Sequence, residues 1–258
     1  MAHESGQPSE VHAPHPPLPA YYASEAARAG WVREIFDRTA PDYARIEWLM
    51  GLGSGSRYRR EALIRAGLAP GMRVVDVGTG TGLVAREAIR ILGDANAVTA
   101  VDPSPGMLRH ATLPQGATLL EGSAESLSLG DASVDFLSMG YALRHISDLA
   151  AAFAEFFRVL KPGGTVCILE ITRPAGRLAS AILKGYMRGV VPAFAWVVSR
   201  SRETPRLMRY YWDTIEACVS PQEVAQALAH AGFTDVTRHV ELGLLSEYRA
   251  RKPAPSAA

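Results

Sequence analysis

Met72 to Gly82 reads MRVVDVGTGTG, with Asp76 two residues ahead of three alternate glycines, Gly78, Gly80 and Gly82, and with Thr79 and Thr81 between them. Val74, Val75 and Val77 suit a strand buried on both faces, and glycine ends the run before it is long enough for a helix. The glycines allow a tight turn and are expected to leave backbone N–H groups uncovered, so that a ligand lies directly on the loop. Asp102 ends a second apolar run twenty residues beyond Gly82. In a doubly wound sheet that carboxylate is placed to accept hydrogen bonds from both hydroxyls of a ribose, which makes a nucleoside the expected ligand. The dinucleotide fingerprint needs glycine at its first, third and sixth positions, and the sixth here is Leu83. That missing glycine counts against a nicotinamide oxidoreductase, which stays open on fold alone.

Alternating strands and helices are expected to carry these residues. Val84, Ala88, Ile91 and Leu92 recur at helical spacing after the loop, which aims the ligand at a helix N-terminus. Pro103 opens a helix with Met107 and Leu108, and Ala117 to Leu120 makes a third strand. Ser123 and Ala124 follow it, where a hydroxyl and a backbone N–H meet an adenine edge. Ser133 to Met139 is a fourth strand ending at Gly140, and Ser147 caps a helix whose Leu149, Phe153, Phe156, Phe157 and Leu160 form a core stripe. Lys161 to Gly164 turns the chain into a fifth strand, Thr165 to Ile171. Ser220, Pro221 and Glu223 form a capping box, and two closing strands follow.

Upstream, Ala27, Trp31 and Ile35 make one amphipathic helix, and Tyr43, Ile46, Leu49 and Met50 a second after Pro41. The intervening IFDRTAPDY is expected to be a helix junction or a flap carrying Tyr43 over the ligand. Residues 173–217 break the alternation as a helical insert or lid, in which Leu178, Ile182 and Tyr186 mark a helix. The insert holds eight Arg or Lys against three acids, +5 in a chain of net +1. That balance suits a lid for a greasy substrate, a peripheral patch on the inner face of the membrane, or an ordinary packed insertion. Its apolar run from Gly189 is too short to span a bilayer.

With 258 residues, 48% of them hydrophobic, the chain has the core of one α/β domain over residues 21–252, with a helical cap at 21–70. The near-zero net charge gives no general attraction to nucleic acid. Residues 1–20 and 253–258 read as disordered tails, with His3, His12 and His15 solvated. The segment 1–20 lacks the apolar core of a signal peptide. Cys167 and Cys218 show neither disulfide nor metal spacing, so no metal is expected and the cytoplasm is the default compartment.

Asp76 followed by G-x-G-x-G resembles the first motif of class I S-adenosylmethionine-dependent methyltransferases. Together with VREIFDRTAPDY, VDPSPGML, GSAESL, ALRH, FRVLKPGG, LEITRP and HAGF, it resembles the ubiquinone/menaquinone biosynthesis C-methyltransferase family over Val32 to Lys252. The resemblance implies a doubly wound, mostly parallel seven-stranded sheet with one antiparallel strand. It also implies S-adenosyl-L-methionine as cofactor and C-methylation of a polyprenyl benzoquinol or naphthoquinol. The cofactor-binding set is then Asp76, Gly78, Thr79, Gly80, Thr81, Gly82, Asp102, Pro103, Met107, Ser123, Ala124, Met139 and Gly140. The chain departs from the family where the acceptor is recognised. Tyr141-Ala142-Leu143-Arg144-His145 stands for F-G-L-R-N, Ser123 for an acid, and Tyr210 to Ile215 matches Y-L-P-x-S-I only loosely.

Methylating a ring carbon requires the acceptor hydroxyl to lose its proton so that electron density reaches that carbon. Arg144 is expected to stabilise the phenolate as a fixed cation. His145 is either the base or a histidine bonded near the next helix. Tyr43 joins them in the catalytic set, and Tyr141, Tyr186 and Tyr210 are expected to wall the acceptor. Other readings are a secondary-metabolism O-, N- or C-methyltransferase, or a cofactor-binding homologue without catalysis. The amino-methylating nucleic-acid branch is disfavoured because its N-P-P-Y or D-P-P-Y is Met139-Gly140-Tyr141-Ala142 here. A homodimer is compatible with all of these.

Overall fold

A computed structural model describes residues 13–50, 53–199 and 202–254; the tail segments 1–12 and 255–258, with His3 and His12, lie outside it, as do the side chains of Leu49 and Met50. Seven strands form one sheet in the order β3-β2-β1-β4-β5-β7-β6. They are β1 (Val74–Val77), β2 (Val98–Asp102), β3 (Thr118–Glu121), β4 (Val134–Gly140), β5 (Leu160–Ile171), β6 (Thr234–Glu241) and β7 (Leu245–Arg251). β1 to β5 pair in parallel, and β7 is antiparallel to both neighbours, as the resemblance implies. All four residues of β1 are buried, as a strand covered by helices on both faces requires. Chain order reverses between β1 and β4, and ligands of open α/β sheets bind at such a switch point, beyond the carboxyl ends of the strands.

The helices on the sheet are α2 (Gly55–Arg65), α3 (Leu83–Leu92), α4 (Pro105–Arg109), α5 (Leu149–Val159) and α9 (Pro221–His230). The expected turn at Lys161 to Gly164 is instead a bulge inside β5, where pairing passes from Val134–Leu160 to Phe136–Thr165. The cap of α5 is Asp148, which accepts from the Ala151 N–H at 3.0 Å, and not Ser147, whose N–H is bound by Glu125 at 2.8 Å. The capping box of Ser220 and Glu223 forms on α9 as expected.

The helical cap differs most from expectation. One helix, α1 (Glu25–Met50), runs straight through Pro41 where a junction was expected. Proline removes one hydrogen bond there, and the Thr39 hydroxyl donates to the Ile35 carbonyl at 2.7 Å one turn earlier. The chain before α1 is packed from residue 13 onward, so the expected solvated arm ends sooner than residue 20. Pro14 accepts from the Val219 N–H at 2.8 Å, and His15, 1% exposed, sits between Arg28 and the Arg144 carbonyl. Burying an imidazole is tolerable because both of its nitrogens are bonded, Nδ1 to the Pro16 carbonyl at 2.7 Å.

The insert comprises α6 (Arg177–Gly185), a π-helical turn (Tyr186–Val190), α7 (Val191–Ser199) and α8 (Glu203–Ala217). α8 is buried against α1 through Leu207, Met208, Tyr210, Tyr211, Trp212 and Ile215. Among the described residues no helix is long and apolar enough to cross a membrane.

Candidate active site

A cleft of about 880 Å³ of empty space, partly open to solvent, lies over the carboxyl ends of β1, β2 and β4. Gly78, Gly80, Asp102, Pro103, Met107, Ser123, Ala124, Met139 and Gly140 line it from the sheet side. Val32, Phe36 and Tyr43 close it from α1, and Tyr211 from α8.

The glycine loop works by lacking side chains. Gly78 has φ +66°, and a methyl added there would lie 2.5 Å from the Cβ of Ala142. The loop's donors are largely spent internally, contrary to expectation. The Thr79 N–H goes to the Val101 carbonyl at 3.0 Å, the Gly80 N–H to Asp102 Oδ2 at 2.7 Å and the Gly82 N–H to the Thr79 carbonyl at 2.9 Å. A pyrophosphate needs such donors free. This loop offers bare Cα surface beside a carboxylate, which fits a phosphate-free, cationic nucleoside such as S-adenosylmethionine.

Asp76 does not line the cleft. Fully buried, it accepts from the Thr79 and Ser138 hydroxyls at 2.7 and 2.6 Å and from the Ala85 N–H at 3.1 Å, tying the loop to β4 and α3. Burial raises its pKa to about 6 against those three bonds. Thr79, Thr81 and Gly82 also lie outside the lining and shape the loop from behind. Asp102 Oδ1 accepts from the Ser104 N–H at 2.9 Å, and burial raises this carboxyl to about 6 as well. Asp37, which motif reading did not single out, fastens α1 to this side. Its Oδ1 accepts from the Ser104 hydroxyl at 2.6 Å and the Gly106 N–H at 2.7 Å. A Cβ on Gly106 would lie 2.7 Å from the Asp37 Cα, so this approach requires glycine.

The catalytic expectation divides at Arg144. Its guanidinium is 1% exposed, pairs with Glu170 and donates from Nε to the Thr214 hydroxyl at 3.2 Å; it does not line the cleft. Desolvation lowers its pKa from the arginine value, yet a guanidinium keeps its charge in proteins, and Glu170 pairs with it. Arg144 therefore acts on the loop from behind, where its carbonyl also accepts from Arg28 at 2.9 Å. His145 does line the cleft, stacked against Tyr210 and Tyr211, with Phe36 edge-on. Its Nδ1 lies 3.2 Å from the Tyr210 hydroxyl. Burial first, then the neighbouring Arg144, His15 and Arg28, hold its pKa well below the histidine value.

Three of the four tyrosine expectations need revision. Tyr43 and Tyr141 line the cleft, but Tyr43 is tied up, because its oxygen accepts from the Tyr211 hydroxyl at 2.9 Å and burial raises its pKa. Tyr210 is fully buried behind His145, and its neighbour Tyr211 is the lining residue. Tyr186 lies in a separate surface groove with Arg173, Ile182 and Arg238. Tyr141 holds a left-handed backbone, φ +61°, pinned by its N–H to the Leu169 carbonyl at 2.7 Å. Such strain in a non-glycine residue is typical of ligand-contacting loops.

Comparison with known proteins agrees with this geometry. The model of the ubiE/COQ5 methyltransferase family matches residues 23–250. The chain is 34% identical over 230 residues to the ubiquinone/menaquinone biosynthesis C-methyltransferase UbiE of Syntrophotalea carbinolica, covering 86% of this chain and 94% of that protein. It is 31% identical to the demethylmenaquinone methyltransferase of Renibacterium salmoninarum over 89% of this chain and 95% of that one. In fold it is similar to a methyltransferase of Aquifex aeolicus, with a TM-score of 0.54, 23% identity and coverage of 75% and 89%. The glycine loop with its spent donors, the carboxylate at the end of β2 and a match across nearly the whole described chain lead to one conclusion: the chain belongs to the ubiE/COQ5 methyltransferase family and is an S-adenosylmethionine-dependent methyltransferase.

Proposed function

We propose that the protein C-methylates the ring of a polyprenyl benzoquinol or naphthoquinol. The observation that carries this reading is a cleft with two unlike halves. Gly78, Gly80 and Asp102 form the nucleoside half, and Phe36, Tyr43, Tyr141, His145 and Tyr211 wall the other with rings. Flat aromatic acceptors pack well between such walls. The bound cofactor supplies a methyl group on a cationic sulfonium. The chain's own residues orient the acceptor ring, exclude water and manage the hydroxyl proton.

Contact with a membrane completes the reading, because a prenylated acceptor resides in one. Leu178, Ile182, Tyr186, Val190, Phe194 and Val197 recur every three or four residues along α6, the π-helical turn and α7, and each is more than a third exposed. From residue 173 to 202 the sequence has six Arg or Lys and no acid. An apolar stripe edged with cations suits an anionic bilayer surface.

Incubation with methyl-labelled cofactor and a short-tailed demethyl naphthoquinol, with mass spectrometry of the product, tests the chemistry. Label on a ring carbon is expected; binding of S-adenosylhomocysteine without quinol methylation refutes this acceptor. In flotation, wild type is expected to rise with anionic vesicles and not with phosphatidylcholine. The exposed triple variant L178E/I182E/F194E is expected to stay folded and remain at the bottom. Equal flotation of both proteins overturns membrane docking by this stripe.

A further inference from the structure

Resting on that acceptor reading, we infer that His145 Nε2 takes the acceptor's hydroxyl proton, and that Tyr210 sets the tautomer that lets it do so. His145 lines the ring-walled half of the cleft, and its Nε2 is buried with no hydrogen-bond partner among the described residues. A buried nitrogen left unmatched in a binding cleft is the feature a substrate group satisfies. Nδ1 faces the Tyr210 hydroxyl at 3.2 Å. With the proton on Nδ1, donated to that oxygen, the lone pair stands on Nε2. The stacked rings of Tyr210 and Tyr211 fix the imidazole plane.

The groups around this histidine hold the resting imidazole neutral, and the cations among them favour the acceptor's oxyanion as the proton leaves. Arg144 on its own turn and Arg28 on α1 are the cations, and the His15 imidazole before α1 faces it as well. Asp102 and Glu125 line the same cleft, and the nearby hydroxyls are those of Tyr43, Tyr210 and Tyr211. Arg144, committed to Glu170 and Thr214, is not available to the acceptor oxygen.

The proton ledger is closed. The hydroxyl O–H bond breaks and N–H forms at Nε2, while the oxygen's electron pair moves into the ring as the ring carbon gains the methyl, whose bond to the sulfonium breaks and leaves its electron pair on sulfur. That carbon then loses its hydrogen to water, and Nε2 returns its proton to the oxygen, so one proton is released per turnover. The family's asparagine at this position cannot hold a proton in this way, so the inference concerns this chain in particular.

The test combines a spectroscopic readout with kinetics. In protein with ¹⁵N-labelled histidine at pH 7, His145 is expected to show a protonated Nδ1 and an unprotonated Nε2, with a shift of that equilibrium in Tyr210→Phe. A proton on Nε2 in wild type overturns the inference whatever the substrate is. With the demethyl naphthoquinol, His145→Ala is expected to lower kcat about 10²–10⁴-fold with unchanged S-adenosylhomocysteine affinity. It is also expected to lose the acid limb of the pH profile and to regain rate with added imidazole. Full turnover in His145→Ala, an unchanged acid limb or failure of rescue overturns it. Wild type that does not methylate the quinol refutes the acceptor reading instead, and the tautomer measurement still decides His145.

Discussion

If Arg144 acts only through the loop, removing the whole Arg144–Glu170 pair should do less harm than removing half of it. Both side chains are 1% exposed. Glu170→Met leaves a buried guanidinium with one neutral hydrogen-bond partner, the Thr214 hydroxyl. Breaking a buried pair from one side costs about 3–5 kcal/mol, which corresponds to a Tm lower by roughly 6–20 °C at about 2–4 °C per kcal/mol for a chain of this size. Arg144→Met should cost a similar amount, because it strands the carboxylate. Replacing both with methionine removes both charges and should fall within about 2 kcal/mol of wild type, since apolar replacements of buried pairs are often neutral or stabilising. Urea denaturation of the four proteins gives the coupling energy, expected to be at least about 4 kcal/mol, because two single losses of about 3–5 kcal/mol stand against a double loss of no more than about 2 kcal/mol. Methyl transfer by the same four proteins carries the functional half. The double variant should recover kcat to within about tenfold of wild type, because it restores the loop that places His145. A double variant as stable as wild type yet as inactive as Arg144→Met would refute the reasoning and return Arg144 to the substrate.

Gly78→Ala would force a side chain into a backbone with φ +66° and against the Ala142 Cβ. S-adenosylhomocysteine affinity should drop at least about tenfold, given about 1–2 kcal/mol for the left-handed backbone alone plus the overlap; unchanged affinity by calorimetry would refute the close approach. Asp76 and Asp102 each keep a proton in the folded state up to about pH 6. The unfolded chain loses it near pH 4, so raising the pH from 4 to 6 should remove up to about 3 kcal/mol of stability per group. Ribose hydroxyls donating to Asp102 favour its ionised form, so cofactor binding near pH 6 should release protons. Binding enthalpies that do not vary with the buffer's ionisation enthalpy would contradict this. Deleting residues 1–19 removes His15 and its bonds to Arg28 and the Arg144 carbonyl. It should cost about 1–3 kcal/mol, the range for stranding a buried hydrogen-bonded group, whereas a solvated arm would cost nothing.

What could be read from the sequence was what local rules determine. The glycine loop, the acid at the end of β2 and the capping box of α9 each follow from a few neighbouring residues, so spacing alone found them. Asp37 and His15 were invisible because their partners are distant in the chain: Ser104 and Gly106 lie 67 and 69 residues from Asp37, and Arg144 lies 129 from His15. Reading Pro41 as a break was sound for an isolated helix, yet α1 is fixed from outside, by Asp37 against α4 and by the rings of α8. Tertiary contact then outweighs one lost hydrogen bond.

The pairs of adjacent residues are the most instructive. Tyr210 and Tyr211 are the same residue type on one helix, and a step of about 100° separates a ring behind His145 from a ring in the cleft. Arg144 and His145 stand in a 3₁₀ turn, Leu143–His145, where successive side chains are about 120° apart. Only one of the two, His145, lines the cleft. Motif likeness names both, and chemical intuition chooses arginine for its charge. The fold chooses otherwise, because Glu170 at the end of β5 and Thr214 on α8 hold the guanidinium on the buried side. With the cation held there, the turn presents a neutral imidazole to the cleft, so the charge behind the loop helps keep that imidazole in the form that accepts a proton.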